Sequence, residues 1–124
     1  MVKIAIVEDD IAICELYRIK FELERFEVVT AHNGKDGLSL VRKESPDLVL
    51  LDLMMPIMGG DEMLRELRAG DKAEATRVVI LTNLSKSEAP ASLRFLRVER
   101  YIIKAHTTPA QVVDTVRAVL HLNK

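Results

Sequence analysis

Residues 47–60 read DLVLLDLMMPIMGG, and this stretch decides the fold. Leu48, Val49, Leu50 and Leu51 are aliphatic at every position, with no polar residue alternating between them. A strand with one wet face would alternate, so this one is covered on both faces, as in a parallel sheet flanked by helices. The run stops on Asp52, a carboxylate that is costly beside so apolar a segment unless something pairs with it. Pro56 and Gly59-Gly60 then shape a loop in which glycine permits backbone angles closed to other residues.

Working outward, four similar runs recur: Lys3–Val7 (KIAIV), Glu27–Thr30 (EVVT), Val78–Leu81 (VVIL) and Tyr101–Ile103 (YII), with Asp47–Leu51 third in order. Segments of helical spacing separate them. Ala12, Leu16, Ile19 and Leu23 recur at i, i+4, i+7 and i+11, and Val112, Val116 and Val119 line a face near the C-terminus. Strand and helix alternate, five of each, which predicts a doubly wound α/β fold with a five-stranded parallel sheet between two helical layers. Local residues mark the boundaries. Asn33-Gly34 caps the second helix and Ser45-Pro46 ends it; Gly70 suits a left-handed stop after the third; Thr108-Pro109 opens the last. The fourth helix is the exception: Ser85-x-x-Glu88 forms a capping box while Pro90 falls inside the helix that box would begin, so this helix either starts late, at Pro90, or is irregular.

The chain has 124 residues, 48% hydrophobic and 30% charged, enough for one domain over 1–124 with a sizeable core. Eighteen basic residues face 19 acidic ones, a net charge of -1, which argues against a general binder of nucleic acid or anionic membrane. One cysteine, Cys14, excludes an intrachain disulfide, and the apolar run at the N-terminus is too short for a signal peptide or a membrane span. A soluble cytoplasmic domain is expected. It ends at His121-Leu122-Asn123-Lys124, just after the fifth helix, as a single-domain protein or a piece of a longer one would.

In an open α/β sheet, ligands bind beyond the carboxyl ends of the strands. Glu8, Asp9 and Asp10 follow the first strand, Asp52 the third, Thr82 and Asn83 the fourth, and Lys104 the fifth. Asp10 precedes the first helix and reads as its N-cap. The other acids need neutralising charge, which Lys104 and a hard divalent cation such as Mg²⁺ can supply. No glycine-rich phosphate loop is present in the sequence.

These motifs together, IVEDD after strand one, DLMMPIMGG from Asp52, ILTN ending at Asn83 and YIIKA from Tyr101, resemble the receiver domain of two-component response regulators over essentially the whole chain. The resemblance implies a flavodoxin-like (βα)5 fold and a signalling domain rather than an enzyme. Asp52 would accept a phosphoryl group from the phosphohistidine of a sensor histidine kinase or phosphotransfer protein. Glu8, Asp9, Asp52 and the backbone carbonyl of Met54 would hold Mg²⁺. Thr82 would be the switch hydroxyl, Lys104 the phosphoryl contact, and Tyr101 the aromatic coupled to the switch. Helix four, strand five and helix five would form the output face, for an effector domain or a homodimer.

The sequence departs from the family pattern in three places. The usual Lys-Pro step is Lys104-Ala105, so the bond is either trans, with Lys104 placed differently, or a strained cis bond costing roughly 2–3 kcal/mol more than before proline. Asn83 is larger than the alanine common after the switch threonine. Val98-Glu99-Arg100 replaces a small Gly-Ala pair. These changes keep open a pseudo-receiver that binds partners without phosphorylation. An aspartyl-phosphate phosphatase of the haloacid dehalogenase type fits poorly, since that family needs DxD straight after strand one. The remaining residues read as structural: Cys14 as a small core filler, His32, His106 and His121 as surface, and Met54, Met55, Met58 and Met63 as loop and core packing. Met55 and Met58 offer a docking kinase a soft apolar patch. Arg94, Arg97 and Arg100 read as a solvated face or, less often, a partner surface.

Overall fold

The computed structural model describes residues 1–70 and 76–122. Five strands, β1 (Lys3–Val7), β2 (Glu27–Ala31), β3 (Leu48–Leu51), β4 (Arg77–Thr82) and β5 (Val98–Ile103), pair in parallel in the order β2-β1-β3-β4-β5. The order reverses between β1 and β3, and in sheets of this kind that switch point opens the ligand crevice. Alternate residues serve two cores. Ile4, Ile6, Leu48, Leu50, Val79 and Leu81 face one, and Ala5, Val7, Val49, Leu51, Val78 and Ile80 face the other. The expected three-layer α/β architecture is therefore present.

Among the described residues, four α-helices cover the sheet: α1 (Ile11–Leu23), α2 (Gly34–Glu44), α3 (Gly60–Ala69) and α4 (Pro109–Val119). Asn33 caps α2 by accepting from the Asp36 amide at 2.8 Å, and Ser45 ends it in the left-handed region at φ 46°. Thr108 and Gln111 form a capping box around Pro109 at the start of α4, whose Val112, Val116 and Val119 are buried as the spacing predicts.

Four expectations are corrected. Among the described residues, the fourth of the five expected helices does not form as an α-helix. The Ser85–Glu88 box is made, Glu88 N to Ser85 Oγ at 3.3 Å and Ser85 N to Glu88 Oε1 at 3.0 Å, but it closes only a turn. Pro90, which has no amide to continue that turn, caps instead a short 3₁₀ segment at Ala91–Phe95. The strand expected at Tyr101 begins three residues earlier, at Val98: as an edge strand, β5 can carry the polar Glu99 and Arg100 on an exposed flank, with a bulge against Val78 and Val79. Gly70 is extended, at φ -84°, rather than left-handed.

The fourth correction concerns α1, which buries Cys14, Tyr17 and Phe21 rather than the Ala12–Leu23 stripe. Leu16, Ile19 and Leu23 stay 53%, 50% and 73% exposed. This helix is apolar on two faces, and the one carrying the two aromatic rings removes more surface from water. Phe21 then meets Phe26 edge-on, ring centroids 5.3 Å apart.

Candidate functional site

The switch point gathers charged groups from three strand ends. Glu8 and Asp9 follow β1, Asp52 follows β3, and Lys104 follows β5. One oxygen each from Glu8, Asp9 and Asp52 lie within 4.8 Å of one another. Glu8 and Asp52 are buried and Asp9 is exposed. Lys104 Nζ donates to Glu8 Oε1 and stands 3.3 Å from Asp52 Oδ2. Asp52 Oδ1 accepts from the amides of Leu53 at 2.8 Å and Met54 at 3.4 Å, which leaves Oδ2 toward the lysine. Glu8 Oε2 accepts from the Asp10 amide at 3.1 Å, while Asp10 caps α1 through Ile13 N at 3.0 Å, as expected.

Burial acts on both Glu8 and Lys104, in opposite directions. It pushes the Glu8 carboxyl up to about 7, against the downward pull of the Lys104 hydrogen bond. For Lys104, burial works downward but is outweighed by the Glu8 hydrogen bond and the charges of Asp52 and Glu8, so its affinity for a proton rises. Two buried carboxylates and an exposed third, with one ammonium between them, form a site of hard oxygen donors with negative charge left over. Such a donor set fits a divalent cation of the Mg²⁺ type.

The loop behind Asp52 is shaped differently from the expectation. No glycine among the described residues has a positive φ; the left-handed residue is Ile57, at φ 70°. Gly60 is required by contact instead, since a Cβ there would lie 2.1 Å from the Asp52 carbonyl oxygen. That closeness brings the N-terminus of α3 against the strand end that carries Asp52. Met55 and Met58 are half-buried against the core, so the exposed apolar side chains of this loop are Met54 at 62% and Ile57 at 78%. Packing, which residue type alone does not reveal, decides between these neighbours.

Thr82 is buried at the end of β4, and its Oγ1 accepts from the Leu84 amide at 3.4 Å. Tyr101 is half-buried, and its hydroxyl donates to the carbonyls of Leu84 at 2.9 Å and Ser85 at 3.3 Å. The Lys104-Ala105 bond is trans, because the chain contains no cis peptide among its described residues. Asn83 Oδ1 accepts from the Ala105 amide at 3.1 Å, so two of the departures from the family pattern touch each other. His32, His106 and His121 are exposed, and Cys14 is buried.

A parallel sheet ordered 2-1-3-4-5, with acids and a lysine at its switch point, defines an α/β protein of the flavodoxin-like class. Within that class the chain belongs to the response regulator receiver domains, signalling modules of two-component systems, whose family model matches residues 4–117. It is 34% identical over 124 residues to the phosphate regulon transcriptional regulatory protein PhoB of Rhizobium meliloti, covering 98% of this chain and 53% of that protein. The chain thus spans about half the length of that curated relative. A CheY-like receiver domain protein from Methanospirillum hungatei superposes with a TM-score of 0.83 at 28% identity, covering 98% of this chain and 94% of that one. The fold is also that of the chemotaxis protein CheY4 of Vibrio cholerae, with a TM-score of 0.87 at 24% identity and coverage of 96% and 98%. No helix among the described residues is long and apolar enough to cross a membrane.

Proposed function

We propose that this domain accepts a phosphoryl group on Asp52 from the phosphohistidine of a histidine kinase or phosphotransfer protein. The observation that carries the reading is the Lys104 ammonium set between buried Glu8 and Asp52, with Asp9 completing the acidic cluster. An Asp52 carboxylate oxygen attacks phosphorus, the P–N bond to the donor imidazole breaks, and the imidazole nitrogen keeps the bonding pair and picks up a proton. The Leu53 and Met54 amides hold Oδ1, which leaves Oδ2 as the nucleophile. Lys104 and the Thr82 hydroxyl then meet the charge on the transferred oxygens, which is where catalysis of phosphoryl transfer concentrates. Glu8, Asp9, Asp52 and the Met54 carbonyl would hold Mg²⁺, which when bound supplies further charge neutralisation. Ile11 and Met54, which follow the site acids closely in sequence, and Ile57 farther along the same loop are all strongly exposed and give a donor protein apolar surface to dock on. The output face comprises the 3₁₀ segment, β5 and α4.

The test is incubation with acetyl phosphate and Mg²⁺, read by intact mass. The wild type gains one phosphoryl group, whereas Asp52→Asn and an EDTA control gain none. A gain that persists on Asp52→Asn places the chemistry elsewhere. No gain on the wild type leaves a receiver that works by binding alone.

A further inference from the structure

The two rim residues that break the family pattern are hydrogen-bonded to each other. Register pairs Thr82 of β4 with Ile103 of β5, so Asn83 and Lys104 leave neighbouring strands side by side. The next residue, Ala105, offers an amide that a proline would lack, and Asn83 Oδ1 accepts it at 3.1 Å. Little else holds this corner. Lys104–His106 is a single 3₁₀ turn, closed by Thr107 N to Lys104 O at 3.3 Å and steadied by Thr107 Oγ1 to Ile103 O at 3.0 Å. Turns of this kind have poorer hydrogen-bond geometry than an α-helix and are held by their surroundings. Yet the first residue of the turn carries the ammonium that reaches both Glu8 and Asp52.

We propose that Asn83 is a positioning residue for Lys104: by accepting the Ala105 amide it fixes the trans turn from which the ammonium reaches Asp52. This rests on the phosphoacceptor reading above. The side-chain carbonyl is the working atom, since an alanine at 83 offers no acceptor and the donor opposite is a backbone N–H. Asn83 and Ala105 therefore act as one unit, in which the acceptor at 83 answers the donor exposed by a non-proline residue at 105.

The experiment is a double-mutant cycle of Asn83→Leu, which keeps the bulk and removes the acceptor, with Ala105→Pro, which removes the donor. The rate of phosphoryl gain from acetyl phosphate with Mg²⁺ is read by intact mass, and exchange of the Ala105 amide by NMR. Losing one hydrogen bond of ordinary strength should slow Asn83→Leu by roughly threefold to tenfold. The Ala105 amide should exchange faster in that variant. In the Ala105→Pro background, Asn83→Leu should slow the reaction no further. An equal slowing in both backgrounds means that Asn83 acts directly on the phosphoryl group and overturns the proposal. So does an unchanged rate in Asn83→Leu. Should Ala105→Pro not fold, unchanged Ala105 exchange in Asn83→Leu alone overturns it. A wild type that gains no phosphoryl mass defeats the functional reading, and this inference with it.

Discussion

Lys104 reaches across two intervening strands to Glu8: β5 and β1 are separated in the sheet by β4 and β3, yet the ammonium donates to the Glu8 carboxylate and passes Asp52 on the way. Both partners are largely out of water, with side chains 11% and 5% exposed. A buried pair of this kind is weak evidence of stabilisation in itself, but breaking it from one side leaves an uncompensated charge. Lys104→Met should therefore destabilise the metal-free protein by about 3 kcal/mol, from the cost of stranding one buried ion. Glu8→Gln in the same background should recover much of that loss. Chemical denaturation of the four proteins gives the coupling, and strict additivity would show that the two groups do not interact in solution.

The acidic cluster sets the metal prediction. Glu8, Asp9 and Asp52 each turn an oxygen into a space no wider than 4.8 Å, and Asp9 is the exposed member through which an ion would enter. Mg²⁺ binding to the folded chain alone must raise its melting temperature by mass action. Asp9→Ala should abolish that rise and leave the metal-free melting temperature nearly unchanged, because an exposed carboxylate contributes little to folding. A Mg²⁺-induced rise that survives in Asp9→Ala would remove this residue from the ligand set.

Ile57 sits at φ 70° in the loop behind Asp52, a backbone region that β-branched residues avoid, and its side chain is 78% exposed. It bears strain with little burial to offset it. Ile57→Asn should raise stability by about 1 kcal/mol, the usual penalty for a left-handed residue with a branched Cβ. Urea unfolding checks this, and a loss of stability would mean that Ile57 packs more than its exposure indicates.

Cys14 is buried in α1, and burial pushes its thiol up from 9.0 to about 11. The unfolded chain gives up this proton above pH 9 while the folded one keeps it, so the group costs stability as pH climbs from 9 through 11. Cys14→Ala should flatten that decline. At pH 8 the native thiol should be inert to an aromatic disulfide reagent, reacting only as fast as the chain opens, and prompt labelling would contradict the burial.

The acidic rim was more legible in the sequence than the surfaces around it. Strands β1, β3 and β4 are apolar throughout, so their ends, and with them Glu8, Asp9, Asp52 and Thr82, can be read directly. The buried face of α1 could not be read, because periodicity gives two apolar stripes and only the packing of Tyr17 and Phe21 chooses between them. The fourth crossover carries a helix-starting box and a helix-breaking proline five positions apart, at Ser85 and Pro90, and the balance falls to the missing amide. Gly60 was marked as a special residue for the wrong reason: what it supplies is room for the Asp52 carbonyl rather than a left-handed angle. The Asn83–Ala105 bond was invisible because it depends on the register of β4 against β5, which no local pattern encodes.

The last prediction concerns how a phosphoryl group on Asp52 would be felt at the output face. Thr82 Oγ1 accepts from the Leu84 amide at 3.4 Å, and the Leu84 carbonyl accepts from the Tyr101 hydroxyl at 2.9 Å, so Leu84 links the buried threonine to the half-buried tyrosine. Tyr101 thus holds this loop through its hydroxyl. When phosphoryl oxygens recruit the Thr82 hydroxyl, the long bond from the Leu84 amide is the one that gives way. The carbonyl of the same residue then moves and carries Tyr101 with it. Charge alone acts locally; a signal needs two packings that a partner can tell apart. Beryllofluoride with Mg²⁺ should therefore shift the amide resonances of Leu84, Ser85 and Tyr101 in the wild type. Thr82→Ala should keep the changes next to Asp52 and lose those at Tyr101. Tyr101→Phe, which removes the hydroxyl and keeps the ring, should retain the shift at Leu84 while reducing those in the Ala91–Phe95 segment beyond it. Shifts confined to the surroundings of Asp52 in the wild type would mean that this route carries no signal.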